Sequence, residues 1–160
     1  MISDREIKSM VSNGELIVSN FRPEQLTPNG YDLTIGELRI QGEKGSDNAV
    51  PPKTLFWVST REELWIIPGL VGQIWLKSSF CRRGILGSFG LVDSGFRGQL
   101  TLTLYNASNE AVMIDPGRPI AQIAFSHMSA LPEMTYEKRS GNFQNQAGIV
   151  TDIREKSSWK

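Results

Sequence analysis

The sequence holds one cysteine, Cys81, and one histidine, His127. A lone cysteine excludes an intramolecular disulfide and fits a reducing compartment, so a cytoplasmic location is expected. One cysteine and one histidine also exclude a Cys/His zinc site within one chain. Net charge is absent as well, since Lys+Arg and Asp+Glu each number 17. A neutral chain lacks the electrostatic footprint of a nucleic-acid binder, and any anion must be held by a local cluster. No apolar run approaches the length of a membrane span, and Met1-Ile2-Ser3-Asp4-Arg5-Glu6 does not open a signal peptide. Neither nucleic acid nor membrane is therefore expected as a partner. What remains is a soluble globular composition, 39% hydrophobic and 21% charged over 160 residues, sufficient for a single domain over 1–160 with its own core.

The chain opens with a helix signal. Ser3 and Glu6 form a capping box, Ile7, Met10 and Val11 recur at helical spacing, and Gly14 offers a stop. This predicts a short helix over Ser3 to Asn13. After it the pattern becomes short β-type runs: 16–18, 31–35, 38–40, 55–58, 64–67 and 70–76, punctuated by Gly, Pro, Asn or Asp. The clearest strand is Gln99 to Tyr105, where Leu100, Leu102 and Leu104 face one way and Gln99, Thr101, Thr103 and Tyr105 the other. Runs at 112–114 and 120–125 follow. Many short strands with Pro/Gly turns predict an all-β sandwich, jelly roll or barrel. Gln41 to Lys53 reads as a surface loop. From Tyr136 onward hydrophobic content falls, and residues 136–160 read as a mobile C-terminal arm.

Two segments gather chemistry. Lys77-Ser78-Ser79-Phe80-Cys81-Arg82-Arg83-Gly84 brings hydroxyls and cations suited to phosphate oxygens; the plain alternative is a strand end running into a solvated turn. Val92-Asp93-Ser94-Gly95-Phe96-Arg97-Gly98 sets a carboxylate in a Gly-flanked turn beside a ring. Asp93 is either a turn former bonded to its own backbone or a group that orients or deprotonates an attacking water. Phe96 belongs to the core or packs on a deoxyribose, where it would exclude a 2′-hydroxyl. Gln122, inside an apolar strand, needs a polar partner. Asp32 closes a turn or supports a metal–water shell, Tyr31 reads as structural, and His127 and Cys81 receive no role.

With these residues in view, the chain resembles the superfamily of dCTP deaminases and dUTP diphosphatases, nearly end to end. Asn29 to Leu33, Lys77 to Gly84 (with Lys77 where Arg is usual), Gly90 to Gly98 and Pro116 to Gln122 are similar to its four motifs. The opening helix and Phe143-Gln144-Asn145-Gln146-Ala147-Gly148 resemble the deaminase branch, and the whole resembles an archaeal-type dUTPase on that scaffold. The resemblance implies a distorted jelly-roll or β-clip barrel with a short N-terminal helix. It implies a homotrimer with sites at subunit interfaces, an arm closing over the nucleotide, and Mg²⁺ held mainly by the triphosphate rather than by protein ligands. Asp93 would be catalytic; Lys77, Ser78, Ser79, Arg82, Phe96, Gln122, Tyr136 and Gln146 would contact substrate, and backbone groups near Ser88 to Leu91 would read uracil. Three positions depart from the deaminases. Thr103 stands where a proton-shuttling glutamate is usual, Leu86-Gly87-Ser88-Phe89 replaces a His-x-Thr-Ala segment, and Asn142 replaces a lysine. A threonine hydroxyl does not titrate near neutrality, so the expected function is dUTP hydrolysis to dUMP and diphosphate. The alternatives are a dCTP deaminase, bifunctional or not, and a non-catalytic nucleotide-binding trimer.

Overall fold

Ser3 caps the first helix, α1 (Asp4–Ser12): its hydroxyl accepts from the Glu6 N–H at 3.4 Å. The reciprocal half of the expected capping box does not form, because the Glu6 carboxylate instead meets His127 Nε2 at 2.8 Å. Ile7 and Met10 are buried, and the Ile2 N–H bonds Phe125 O, so the chain start is tied to the sheet beneath. These and all following details come from a computed structural model that describes residues 1–42 and 47–152.

The strands are β1 (Ile17–Ser19), β2 (Leu26–Thr27), β3 (Gly30–Ile40), β4 (Ala49–Val50), β5 (Leu55–Thr60), β6 (Glu63–Trp65), β7 (Leu70–Leu76), β8 (Ile85–Gly87), β9 (Leu91–Val92), β10 (Arg97–Gly98), β11 (Thr101–Asn106), β12 (Val112–Met113) and β13 (Pro119–His127). A one-turn helix, α2 (Ser78–Cys81), follows β7, and α3 (Tyr136–Arg139) follows β13. The main sheet runs β8-β11-β5-β3-β13-β7-β9 with β2 against β3; β1-β6-β10 and β12-β4 make two smaller sheets. All these pairings are antiparallel. A curled antiparallel sheet with few helices matches the expected all-β class.

The period-two reading of the strand at 99–105 holds: Leu100, Leu102 and Leu104 are buried, whereas Thr103 and Tyr105 are exposed. The expected runs at 31–35 and 38–40 are one strand, β3, whose register against β5 shifts between Ile35 and Leu38. Gly36 permits this close approach, because a Cβ there would come within 3.0 Å of Ser59 Oγ. Part of the expected loop at 41–53 lies outside the described residues; its end supplies β4, paired with β12.

One buried group stands apart from the apolar core. Glu62 is 0% exposed; its Oε2 accepts from the Thr34 N–H at 2.9 Å, and its Oε1 has no hydrogen-bond partner among the described residues. Burial raises its pKa above the ordinary value, against the opposing pull of the Thr34 hydrogen bonds and Arg22. Neighbouring Tyr31, also buried, is pushed up to about 12 by desolvation. Between the unfolded and the raised folded pKa of Glu62, the folded state binds more protons, so stability falls as pH rises through that window. Glu62→Gln keeps the acceptor for Thr34 and cannot ionise. Its melting temperature relative to wild type should climb as pH rises above the ordinary glutamate range, about pH 4; a pH-independent difference in paired thermal melts would refute this account.

Candidate active site

Strands β9 and β10 are short because a tight turn, 93–96, lies between them. Gly95 takes φ +90°, a conformation that favours glycine. The Gly95 N–H bonds Ile66 O at 2.7 Å and the Phe96 N–H bonds Asp93 O at 3.0 Å, while the Ser94 hydroxyl accepts from the Gly69 N–H at 2.9 Å. Backbone groups and Ser94 thus hold the turn. The Asp93 side chain is exposed and makes no hydrogen bond or ion pair with the described residues. The plain reading of Asp93, a side chain bonded to its own turn, is therefore not what the geometry shows.

Asp93 lines a cavity of about 410 Å³, inside the roughly 300–1,000 Å³ range of small-molecule sites. Ser88 to Leu91 form one wall, Leu100 to Thr103 another, and Tyr136, Asn142, Phe143 and Gln146 a third. Among the described residues, Asp93 is the single carboxylate in this lining. Phe96 is 5% exposed, so most of its ring belongs to the core, and it meets Tyr136 edge-on at 5.7 Å between centroids. The cavity unites Asp93, Phe96, Tyr136 and Gln146 with Ser88 to Leu91. Thr103 faces the same space from β11.

The other expected substrate contacts lie elsewhere in the single chain. Ser78, Ser79 and Arg82 are exposed on or beside α2 and do not line this cavity. Cys81, on the same turn, lines an adjoining cavity of about 580 Å³ that shares Ile74 and Ser88 to Leu91 with the first. Lys77 pairs with Asp32, so its charge is already balanced, and Asp32 is an ion-pair partner. Gln122 donates from Nε2 to Thr27 Oγ1 at 2.5 Å, which supplies the partner its apolar strand demanded. Among the described residues no group of three His, Cys, Asp or Glu side chains could hold a metal.

The arm is docked along its described length. The Gln99 N–H bonds Gln146 O, the Asn145 N–H bonds Arg97 O, and Gly98 and Gln146 form a parallel bridge. Gln146 Nε2 donates to Gln99 O, the Gly148 N–H to Gln99 Oε1 and the Val150 N–H to Thr101 Oγ1. Gln146 Oε1 is buried without a hydrogen-bond partner among the described residues, which leaves an acceptor on the residue that joins arm and cavity. Sequence reading expected a loosely held segment here, and missed Gln99 and Gln144 as docking groups. Residues 153–160 of the expected arm lie outside the described residues. The close approach depends on Gly98, at φ +139°, where a Cβ would sit 2.9 Å from the backbone N and O of Gln146. Gly98→Ala should therefore undock the arm, costing about 1–3 kcal/mol locally, read as faster amide exchange across 144–148; unchanged exchange would contradict it.

The chain matches the dCTP deaminase-like family over residues 38–128. It is 38% identical to a dCTP deaminase of Pyrococcus horikoshii, over 89% of this chain and 93% of that one. Other archaeal relatives at 35–38% identity carry the same name. It is 28% identical to a probable deoxyuridine 5′-triphosphate nucleotidohydrolase of Sulfolobus islandicus rod-shaped virus 1, over 94% of this chain and 96% of that one. Among solved structures it resembles the 2′-deoxycytidine 5′-triphosphate deaminase of Agrobacterium tumefaciens, at TM-score 0.68 and 17% identity over 82% of this chain and 49% of that one. It also resembles the EIAV dUTPase, at TM-score 0.53 and 19% identity over 77% and 92%. The structural matches support a jelly-roll-like fold. By name, the relatives favour the deaminase alternative over the hydrolase expectation.

Proposed function

The chain belongs to the dCTP deaminase-like family, and from that premise we propose that it hydrolyses dUTP to dUMP and diphosphate. The observation that carries this reading is Asp93, exposed, the single carboxylate that the described residues give the cavity, and free of partners among the described residues. A group of that kind can orient a water toward the α-phosphorus and take its proton as the P–O bond to the diphosphate breaks. Thr103 supports the same reading, since a hydroxyl there offers no proton shuttle for the base. Backbone groups of Ser88 to Leu91 would read the uracil, and Phe96 with Tyr136 would bound the sugar.

Asp93 alone does not make a metal site, so Mg²⁺ would take its ligands from triphosphate oxygens and water. When bound it neutralises phosphate charge. The separation of Ser78, Ser79 and Arg82 from the cavity supports a homotrimer in which the α2 turn of one subunit completes the neighbour's site. That assembly would bring to the phosphates further hydroxyls and a guanidinium, a cation of the kind that the described lining of the single chain's cavity lacks. The same separation leaves Lys77 and Gln122, which have partners within the chain, as the weaker candidates for direct substrate contact.

The second reading is dCTP deamination, favoured by the names of the archaeal relatives. Product chromatography after separate exposure to dUTP, dCTP and dTTP with Mg²⁺ distinguishes them. The hydrolase reading expects dUMP and diphosphate from dUTP. Saturable dUTP binding without diphosphate release would instead favour a non-catalytic nucleotide binder.

A further inference from the structure

Gln144 lies in the arm and does not line the cavity, yet its side-chain amide grips the turn that carries Asp93. Its Oε1 accepts from the Arg97 N–H at 3.1 Å, and its Nε2 donates to Gly95 O at 3.1 Å. One planar group therefore holds the backbone on both sides of Phe96. The opposite side of the turn is fixed by the body of the protein, through the Gly95 N–H on Ile66 O and the Ser94 hydroxyl under the Gly69 N–H. The Asn145 N–H on Arg97 O, at 2.7 Å, adds a second tie next in sequence. The turn is thus clamped between the core and the arm; the arm's half joins the Gln144 amide, which uses one donor and one acceptor, to the backbone N–H groups of Asn145 and of Tyr136, the latter on Ser94 O at 2.8 Å.

We propose that Gln144 is a positioning residue: docking of the arm through its amide sets the 93–97 turn, and thereby aims the Asp93 carboxylate and seats the Phe96 ring. This rests on the hydrolase reading of the cavity. The arm then does more than cover substrate, because its docking and the geometry of the attacking group are coupled through the same two hydrogen bonds. The chemical requirement is specific. Alanine removes both bonds. An ionised glutamate offers acceptors only, keeping the bond from the Arg97 N–H but setting an oxygen against Gly95 O. A protonated glutamate restores the donor.

The test uses the full chain with dUTP and Mg²⁺, comparing wild type, Gln144→Ala and Gln144→Glu by kcat, KM and amide exchange. A misplacement of about 1 Å can cost about a hundredfold in rate. We expect kcat of Gln144→Ala to fall by about tenfold to a hundredfold while KM changes by less than about threefold, and exchange at the Arg97 amide to rise. The kcat of Gln144→Glu relative to wild type should be low near about pH 8 and recover toward about pH 5, as the new carboxyl protonates. A fall in thermal stability with kcat unchanged, an effect confined to KM, or a pH-independent Gln144→Glu ratio would each overturn the proposal. Wild type that releases no diphosphate from dUTP would overturn the hydrolase reading itself; an active wild type with an unaffected Gln144→Ala variant overturns only the positioning role.

Discussion

Asp93→Asn should lower diphosphate release from dUTP by about 10²–10⁴, the usual cost of removing a general base, while leaving the fold intact. The substitution keeps the size of the side chain and one acceptor oxygen, but an amide cannot take the proton that water must lose as it attacks phosphorus. The turn should not notice the change. Its hydrogen bonds come from backbone groups, Ser94 and the Gln144 amide, and the exposed Asp93 side chain contributes none among the described residues. Exposed positions without such partners usually shift stability by less than about 0.5 kcal/mol, so thermal melts of the two proteins should nearly superimpose. Binding of a non-hydrolysable dUTP analogue should also survive, because Ser88 to Leu91, Tyr136 and Gln146 remain. A variant that melts as wild type does and still turns over dUTP within about threefold of its rate removes Asp93 from the reaction and with it the central residue of the hydrolase reading.

The sequence announces some of this architecture clearly and other parts hardly at all. Leu100, Leu102 and Leu104 alternate with polar neighbours because β11 buries one face only, and a period of two survives in the letters. β3 is split by Gly36 and Glu37, whose lack of apolar character hides a strand that continues through a register shift. The arm is less legible still. It is held by side-chain amides on backbone groups, as at Gln144 and Gln146, and such bonds leave no hydrophobic pattern behind. Asp93 stands out within its own short turn, but its freedom from that turn depends on Ser94 and on the distant Gly69 and Ile66. Lys77 reads as a phosphate cation until β13, pairing with both β3 and β7, brings its strand end near Asp32, 45 residues away in sequence. The cluster at Ser78, Ser79 and Arg82 is a compositional signal; proximity in sequence to Asp93 does not carry it into the same cavity of one chain.

Incubation with dCTP should release no ammonia under conditions where dUTP is consumed, a difference of at least about 10²-fold. Deamination adds water at C4 of cytosine, forms a C4–O bond and breaks the C4–N4 bond. The water's protons must be passed on so that nitrogen leaves as ammonia, which calls for a titratable group beside the base. Thr103 lines the cavity on the wall formed by Leu100 to Thr103; on the hydrolase reading it would face the base, and its hydroxyl does not exchange protons at neutral pH as a carboxyl does. Asp93 cannot serve both ends of the nucleotide at once: a carboxylate aimed at the α-phosphorus is displaced from C4 by the length of the sugar. The relatives named dCTP deaminase make this the sharpest comparison, because overall similarity argues for deamination while the lining of the cavity argues against it. Ammonia appearing from dCTP with wild type and persisting in Asp93→Asn would show that another group moves the proton, and would place the chain's activity with those relatives. Ammonia that vanishes in Asp93→Asn would instead make Asp93 the shuttle and require the base, not the phosphates, to lie against it. With no ammonia from dCTP and diphosphate from dUTP, the chemistry of one side chain at position 103 outweighs similarity spread over most of the chain.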